Sequence, residues 1–191
     1  MTKPRYTGAM AHSSPTSPAP YLYREEQRFR QWWVWILVVG PAALAWWPFV
    51  QQILRGENVG QNPAPDWMVW VIWLLIGVGL PLLFGLVALV LQVTADQVLV
   101  NYRPFKRRAI PLGEIAQVEV RTYNAVKEYG GWGIKGWSKD NVAYNVSGNR
   151  GVELTLRSGS RVMLGSQRAD ELAAAINGQL RQRHASVARS G

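Results

Sequence analysis

The chain has 191 residues, a formal net charge of +9, 48% hydrophobic and 17% charged residues, and no cysteine. Without cysteine there is no disulfide framework, thiolate nucleophile or sulfur-ligated metal. The two histidines, His12 and His184, lie near opposite ends, so neither a metal-binding histidine cluster nor a triad base is expected. Eight of the ten tryptophans fall between Trp32 and Trp73, and the hydrophobic residues outside that stretch suffice for one small domain.

Residues 1–23 open with MTKPRYTGAMAHSSPTSPAP, rich in Pro, Ser, Thr and Ala without a hydrophobic period, and read as a flexible tail. The charged segment from Tyr21 to Gln31 reads as a short juxtamembrane helix. Two uncharged runs follow: WWVWILVVGPAALAWWPFV over 32–50, and WMVWVIWLLIGVGLPLLFGLVALVLQV over 67–93. At 1.5 Å per residue the first covers roughly the 30 Å of a bilayer's hydrocarbon, and the second is longer than strictly needed, with room to tilt or extend into the interface. Joined by RGENVGQNPAPD, they form a transmembrane hairpin within a unit spanning 24–93.

About thirty polar residues precede the first run, which is unlike a cleaved signal peptide, so the span is expected to remain in the mature protein. Lys3, Arg5, Arg24, Arg28 and Arg30 precede it, the connecting loop carries Arg55 against Glu57 and Asp66, and Arg103, Lys106, Arg107 and Arg108 follow the second run. By the positive-inside rule the protein is a multi-pass component of the cytoplasmic (inner) membrane with both termini cytoplasmic. Small residues Gly40, Ala43, Gly77 and Gly85 are spaced to let the two helices approach closely. No ionisable residue lies within either run, so the hairpin reads as an anchor rather than a transport path.

After Val93 the hydrophobic period becomes two. Val98, Val100 and Tyr102, then Val118 and Val120, then Val152, Leu154 and Leu156 alternate with polar or exposed positions, giving about six half-buried strands separated by turn signals. The segment SQRADELAAAINGQL closes the series as a helix, with Ser166 as N-cap and Leu172, Ile176 and Leu180 as its apolar stripe. A domain over 94–180 and a flexible tail over 181–191 complete the expected organisation.

Two segments carry a family resemblance: VTADQVLVNYRPFKRRAIPLGEIAQVEVR and GVELTLRSGSRVMLGSQRADELAAAI. Together they resemble the opening and closing of the bacterial pleckstrin-homology-like family, across Thr94 to about Gln179. The resemblance implies an α+β fold in which a bent antiparallel β-barrel or sheet is capped by a C-terminal helix, preceded here by the two-helix transmembrane hairpin. In lipid-binding pleckstrin-homology domains the first loop carries a basic residue, a spacer and then Lys/Arg-x-Arg, and Arg103, Lys106 and Arg108 resemble that order. With Arg107 they are candidate contacts for anionic phospholipid headgroups, although the same charges are sufficient to fix topology, which is the preferred explanation.

The stretch YGGWGIKGW contains Gly131, Gly133 and Gly136 in the spacing GxGxxG, but the residues that follow show no helical stripe to aim amides at a pyrophosphate. The preferred reading is a long loop within a departure from the family pattern over 124–141, whose tip, Trp132, Lys135, Trp137 and Lys139, is a candidate partner-binding surface. Ser166 and Arg168 at the helix start are a candidate anion contact. No cofactor or metal is expected, and no nucleic-acid motif accompanies the basic residues. The expectation is a non-enzymatic interaction or scaffold module with the membrane, anionic lipid and a protein partner or second copy as its contacts. The alternatives are a nucleotide-binding enzyme using 131–136 and an accessory subunit of a larger membrane complex.

Overall fold

The computed structural model describes residues 21–138 and 141–190. Strand β1 (Tyr23–Arg28) leads into helix α1 (Trp32–Leu54), α-helical to Pro48 and widening to π-type hydrogen bonding over Phe49–Leu54. Helix α2 (Asp66–Leu86) returns antiparallel to it. After it come β2 (Ala88–Val93), β3 (Gln97–Arg103) and β4 (Lys106–Pro111). A 3₁₀ turn over Leu112–Glu114 then leads to β5 (Ile115–Thr122), α3 (Ala125–Tyr129), β6 (Gly133–Ser138) and β7 (Asn141–Asn145). Strands β8 (Arg150–Leu156) and β9 (Arg161–Gly165) precede the terminal helix α4 (Ala169–Ser190).

The fold is mixed α+β, with two apolar helices near the N-terminus, two sheets and a C-terminal helix. One sheet is an antiparallel meander, β1-β2-β3-β4; the other has the order β5-β8-β9-β7-β6, antiparallel except for the parallel pair β7 and β9. The two sheets are not closed into one barrel.

Four expectations are corrected. The segment from Tyr21 to Gln31 is a strand rather than a juxtamembrane helix, paired with β2 from Tyr23↔Val93 to Arg28↔Ala88. The second apolar helix stops at Leu86, because Ala88–Val93 is itself a strand buried between β1 and β3. The domain boundary therefore does not fall at 94: the helical hairpin is inserted between β1 and β2, the first two strands of the sheet. The flexible tail expected beyond 180 is instead the continuation of α4 to Ser190. The tail expected over the first residues lies, up to residue 20, outside the described residues.

Strand alternation builds the core. Leu89, Leu91, Val93, Val98, Val100, Tyr102 and Ile110 from the meander face Val152, Leu154, Val162 and Leu164 from the second sheet. Leu172 and Ile176 of α4 are fully buried against them, with Leu180 partly buried, as the apolar stripe requires. A smaller cluster of Tyr123, Ala125, Tyr129, Ala143 and Met163 covers the other face of the second sheet.

In the helical hairpin, α1 buries Val34, Val38, Ala42, Ala45 and Phe49, the near-heptad spacing of a left-handed helix pair. Aromatic rings fill the contact: Phe49 stacks on Trp73 at 4.2 Å, and Trp46 meets Trp73 edge-on at 5.3 Å. Of the expected small-residue contacts, Gly77 alone is buried, under Trp46 and Trp73, while Gly40, Ala43 and Gly85 face outward. Only 28% and 11% of the most apolar windows of α1 and α2 are buried, unlike the core helices of a soluble domain.

Because Arg28 and Ala88 form the last rung of a regular antiparallel pair, residues 29–87 occupy the place of a hairpin loop. Replacing them with Asn-Gly, which favours the two-residue turn matched to strand twist, should give a soluble domain with a single cooperative unfolding transition by circular dichroism. An unfolded or aggregated product would mean that β1 and β2 cannot pair without the helices.

Candidate functional site

The strand register places the basic loop. Chain leaving α2 runs away from the helix ends along β2 and returns along β3, so that Arg28, Ala88 and Arg103 share one rung beside the hairpin's base. The β3–β4 turn projects past that rung, closed by the Phe105 amide donating to the Tyr102 carbonyl at 2.8 Å. Phe105 at its tip is 60% exposed, an aromatic ring flanked by Arg103 and Lys106.

The pleat then divides the predicted quartet. Arg107 pairs with Asn101 on the outer face of the meander, where Arg103 also lies, while Lys106 and Arg108 pair with Tyr102 and Val100 on its inner face. An outer hollow of about 580 Å³ is lined by Arg24, Gln92, Asn101, Arg103 and both Arg107 and Arg108. A second hollow of about 610 Å³ lies between β4 and β6, lined by Lys106, Arg107, Arg108, Ile134, Lys135, Gly136 and Val142. Lys135, assigned from the sequence to a separate loop, thus joins the basic quartet.

The outer face carries its own counter-charge. Glu26 accepts from Arg28 at 2.8 Å and lies 3.8 Å from Arg24. The hydrogen bond from Arg28, followed by the charges of Arg28, Arg103 and Arg24, holds its carboxyl below the ordinary value against slight burial. At the inner hollow none of Lys106, Arg107, Arg108 or Lys135 makes an ion pair or side-chain hydrogen bond among the described residues.

The predicted glycine loop is an ordered helix and strand. Asn124 caps α3 by accepting from the Val126 and Lys127 amides, and Arg121 bridges Glu128 and Glu153 to hold that helix on the second sheet. Gly133 opens β6 at φ +118°, where a side chain would be strained, and its amide donates to Asn145 Oδ1 at 2.8 Å. Gly136 sits where the β6–β7 register breaks, and a Cβ there would collide with the Asn141 carbonyl. All three fingerprint glycines precede or lie in a strand that leads to another strand, not to a helix.

Trp132 is a packing residue: its ring meets Trp33 of α1 at 5.6 Å and covers the smaller core cluster. The Trp137 side chain and all of Lys139 lie outside the described residues. Among the described residues no cluster of three His, Cys, Asp or Glu is placed to hold a metal ion.

The predicted anion contact at the start of α4 already holds an anion, supplied by β1. Ser166 Oγ and the Gln167 amide donate to the buried Glu25 carboxylate, the latter at 2.9 Å, and Tyr23 donates to it at 2.6 Å. Arg168 stacks 5.0 Å over the Tyr23 ring and donates to the Arg24 carbonyl at 2.8 Å, while Gln27 donates to the Gly165 carbonyl at 2.8 Å. Sequence reasoning missed Glu25 because an exposed acidic surface residue and a buried capping carboxylate look alike without the register of β1.

A hairpin of two membrane-length helices set into a β-hairpin of a mixed α+β domain, with a basic face at its base, defines the class of architecture. Residues 16–182 match a family of unknown function, DUF6141, and the chain belongs to that family. No curated protein and no solved structure matches it.

Two expectations follow from these contacts. Glu25→Ala leaves the Ser166 hydroxyl and the Gln167 amide without an acceptor and should destabilise the domain by about 1–3 kcal/mol, read as faster hydrogen exchange at β1 and the first turn of α4. Burial raises Tyr102 from an ordinary 10.0 to about 12. A value raised in the folded state contributes stability that is complete below pH 10 and lost as pH climbs towards 12. Alkaline unfolding of Tyr102→Phe should accordingly be less steep over that window than that of the unaltered chain.

Proposed function

We propose that this chain is a two-span inner-membrane protein whose domain, of the pleckstrin-homology-like type, acts without catalysis as an interaction or scaffold module against the cytoplasmic leaflet. The observation that carries the reading is the insertion of the helical hairpin between register-paired strands. With β1 and β2 joined rung by rung, both helices leave the domain on the same side, and a bilayer around them would lie directly beneath the β3–β4 turn. Arg103 and Lys106 would then sit at headgroup level and Phe105 at the interface, with Arg108 about 7 Å further out than Lys106 at strand rise.

Support for the pleckstrin-homology-like reading comes from the four-stranded meander, the second sheet and the C-terminal helix that fills the space between them. The β6–β7 hairpin and its parallel junction with β9 depart from that pattern. The glycines of 131–136 lie before and within β6, a setting that does not aim helix amides at a phosphate and so favours the non-catalytic reading over a nucleotide-binding enzyme.

A second reading, as accessory subunit of a larger membrane complex, draws on Gly40, Ala43 and Gly85 facing away from the helix pair, where another helix could approach closely.

Orientation can be tested in a chain that lacks cysteine. In sealed right-side-out cells, a membrane-impermeant maleimide should label Glu57→Cys in the α1–α2 loop and leave Phe105→Cys unlabelled until the membrane is permeabilised. The opposite pattern would reverse the topology and remove the cytoplasmic leaflet as the domain's neighbour.

A further inference from the structure

We propose that the loop-side half of the helical hairpin holds one glycerophospholipid, with an acyl chain along α1 and its phosphate at Arg55. The proposal rests on the two-span reading and adds a ligand site remote from the β-sheets. The site is a groove of about 640 Å³, within the range of small-ligand sites. Its α1 residues recur at three- and four-residue steps from Val39 through Ala43 and Trp47 to Arg55, so they form one stripe along the helix, with Gly77 and Pro81 of α2 beside it.

Length and charge select the occupant. From Val39 to Val50 the stripe is apolar, and at about 1.5 Å per residue that part is roughly 17 Å long. One leaflet spans about half of a bilayer's roughly 30 Å of hydrocarbon. The apolar part therefore matches a single leaflet, not the full crossing that a second transmembrane helix would need. With the helices in a bilayer, Gln51 and Arg55 lie at headgroup depth, and Arg55 is the one charged residue lining the groove among the described residues. It donates to Gln51 Oε1 at 3.1 Å but pairs with neither acid of its loop: Glu57 makes no ion pair among the described residues, and Asp66 accepts from Gln52 at 2.6 Å. The guanidinium thus keeps donors for a phosphodiester. Helix packing also holds the groove open. Pro81 has no N–H to offer the Gly77 carbonyl one turn earlier, and Trp46 Nε1 donates to that carbonyl at 3.2 Å. Edge-on contacts with Phe49 at 5.9 Å and Trp73 at 5.3 Å fix the same indole, so Trp46 forms a wall beside Ala42, Ala43 and Gly77, which lack the bulk to fill the space.

The full chain in maltoside micelles is titrated with phosphatidylglycerol carrying a diazirine midway along one acyl chain, and crosslinks are mapped by mass spectrometry after irradiation. Crosslinking within residues 39–50 should saturate at one lipid per chain. Ala43→Trp, which fills the groove, should abolish it, whereas Leu44→Trp, exposed outside the groove, should leave it unchanged. Arg55→Gln should raise the half-saturating concentration about tenfold, as expected for losing a charge-assisted hydrogen bond, and Arg55→Lys should raise it less. Diacylglycerol with the same diazirine chain lacks the phosphate, so Arg55→Gln should not change the concentration it requires. This comparison of two lipids decides the question even where Ala43→Trp disturbs the hairpin.

Crosslinking that does not saturate, or that Arg55→Gln leaves unchanged with phosphatidylglycerol, reports only the lipid that surrounds any membrane helix and overturns the site. Disulfide dimerisation of Ala43→Cys that added phospholipid does not slow would also overturn it, by giving the groove to a second copy. Reversed labelling of Glu57→Cys and Phe105→Cys would remove the docking reading but only move this site to the opposite leaflet, leaving the micelle titration to decide it.

Discussion

The pairing of β1 with β2 is the constraint on which the rest of the structure depends. It joins residues on either side of both apolar helices, so it sets where the helices leave the domain and where β3 returns beside them. In a flexible chain, closing a loop of roughly sixty residues costs about 3–4 kcal/mol in entropy. Here the antiparallel helices bring the two strand ends together, so helix association and strand pairing support each other. Glu25, Gln27 and Tyr23 on β1 then bind the β9–α4 connection, carrying the same constraint to the helix that completes the core.

The legible parts of the fold were those in which hydrophobic pattern and burial coincide. Val98, Val100 and Tyr102 alternate visibly and are buried; so do Val152, Leu154 and Leu156, and Leu172 and Ile176 mark the buried face of α4. Strand β1 was not legible because its buried face, Tyr23, Glu25 and Gln27, is largely polar, and Glu25 and Gln27 hydrogen-bond to partners more than a hundred residues away. Strand β2 was hidden for the opposite reason: ALVLQV continues the apolar run of α2 without a charge or turn residue to separate helix from strand. An unbroken apolar run suits a lipid-exposed helix and a strand buried on both faces equally well.

The basic residues show a similar limit. Arg103, Lys106, Arg107 and Arg108 form one cluster in sequence, but a pleated strand sends neighbours to opposite faces, so they contribute to two hollows of different character. Lys135 enters the inner hollow through strand placement, not sequence proximity. The GxGxxG spacing misleads for the same kind of reason. Its glycines answer a positive φ and a close strand approach in the β6 hairpin, demands that produce the same letters as a phosphate loop.

The short junctions determine how the domain can respond to its surroundings. Three residues separate β1 from α1, and Val87 alone separates α2 from β2. Cross-contacts stiffen both: Trp35 donates to the Phe29 carbonyl at 3.0 Å, Gln31 to the Val146 carbonyl at 3.2 Å, and Phe29 packs on Phe84. Trp132 on Trp33 ties the α3–β6 segment that carries Lys135 to the same helix. A domain on a long linker samples many orientations and gains from membrane proximity only a raised local concentration. Here the orienting entropy is already spent in folding, so Arg103, Phe105 and Lys106 hold a fixed height relative to the hairpin. A tilt of α1 must move β1 and the Trp132 contact together, which places the Glu25 attachment of α4 and the β4–β6 hollow on one mechanical unit with the helices.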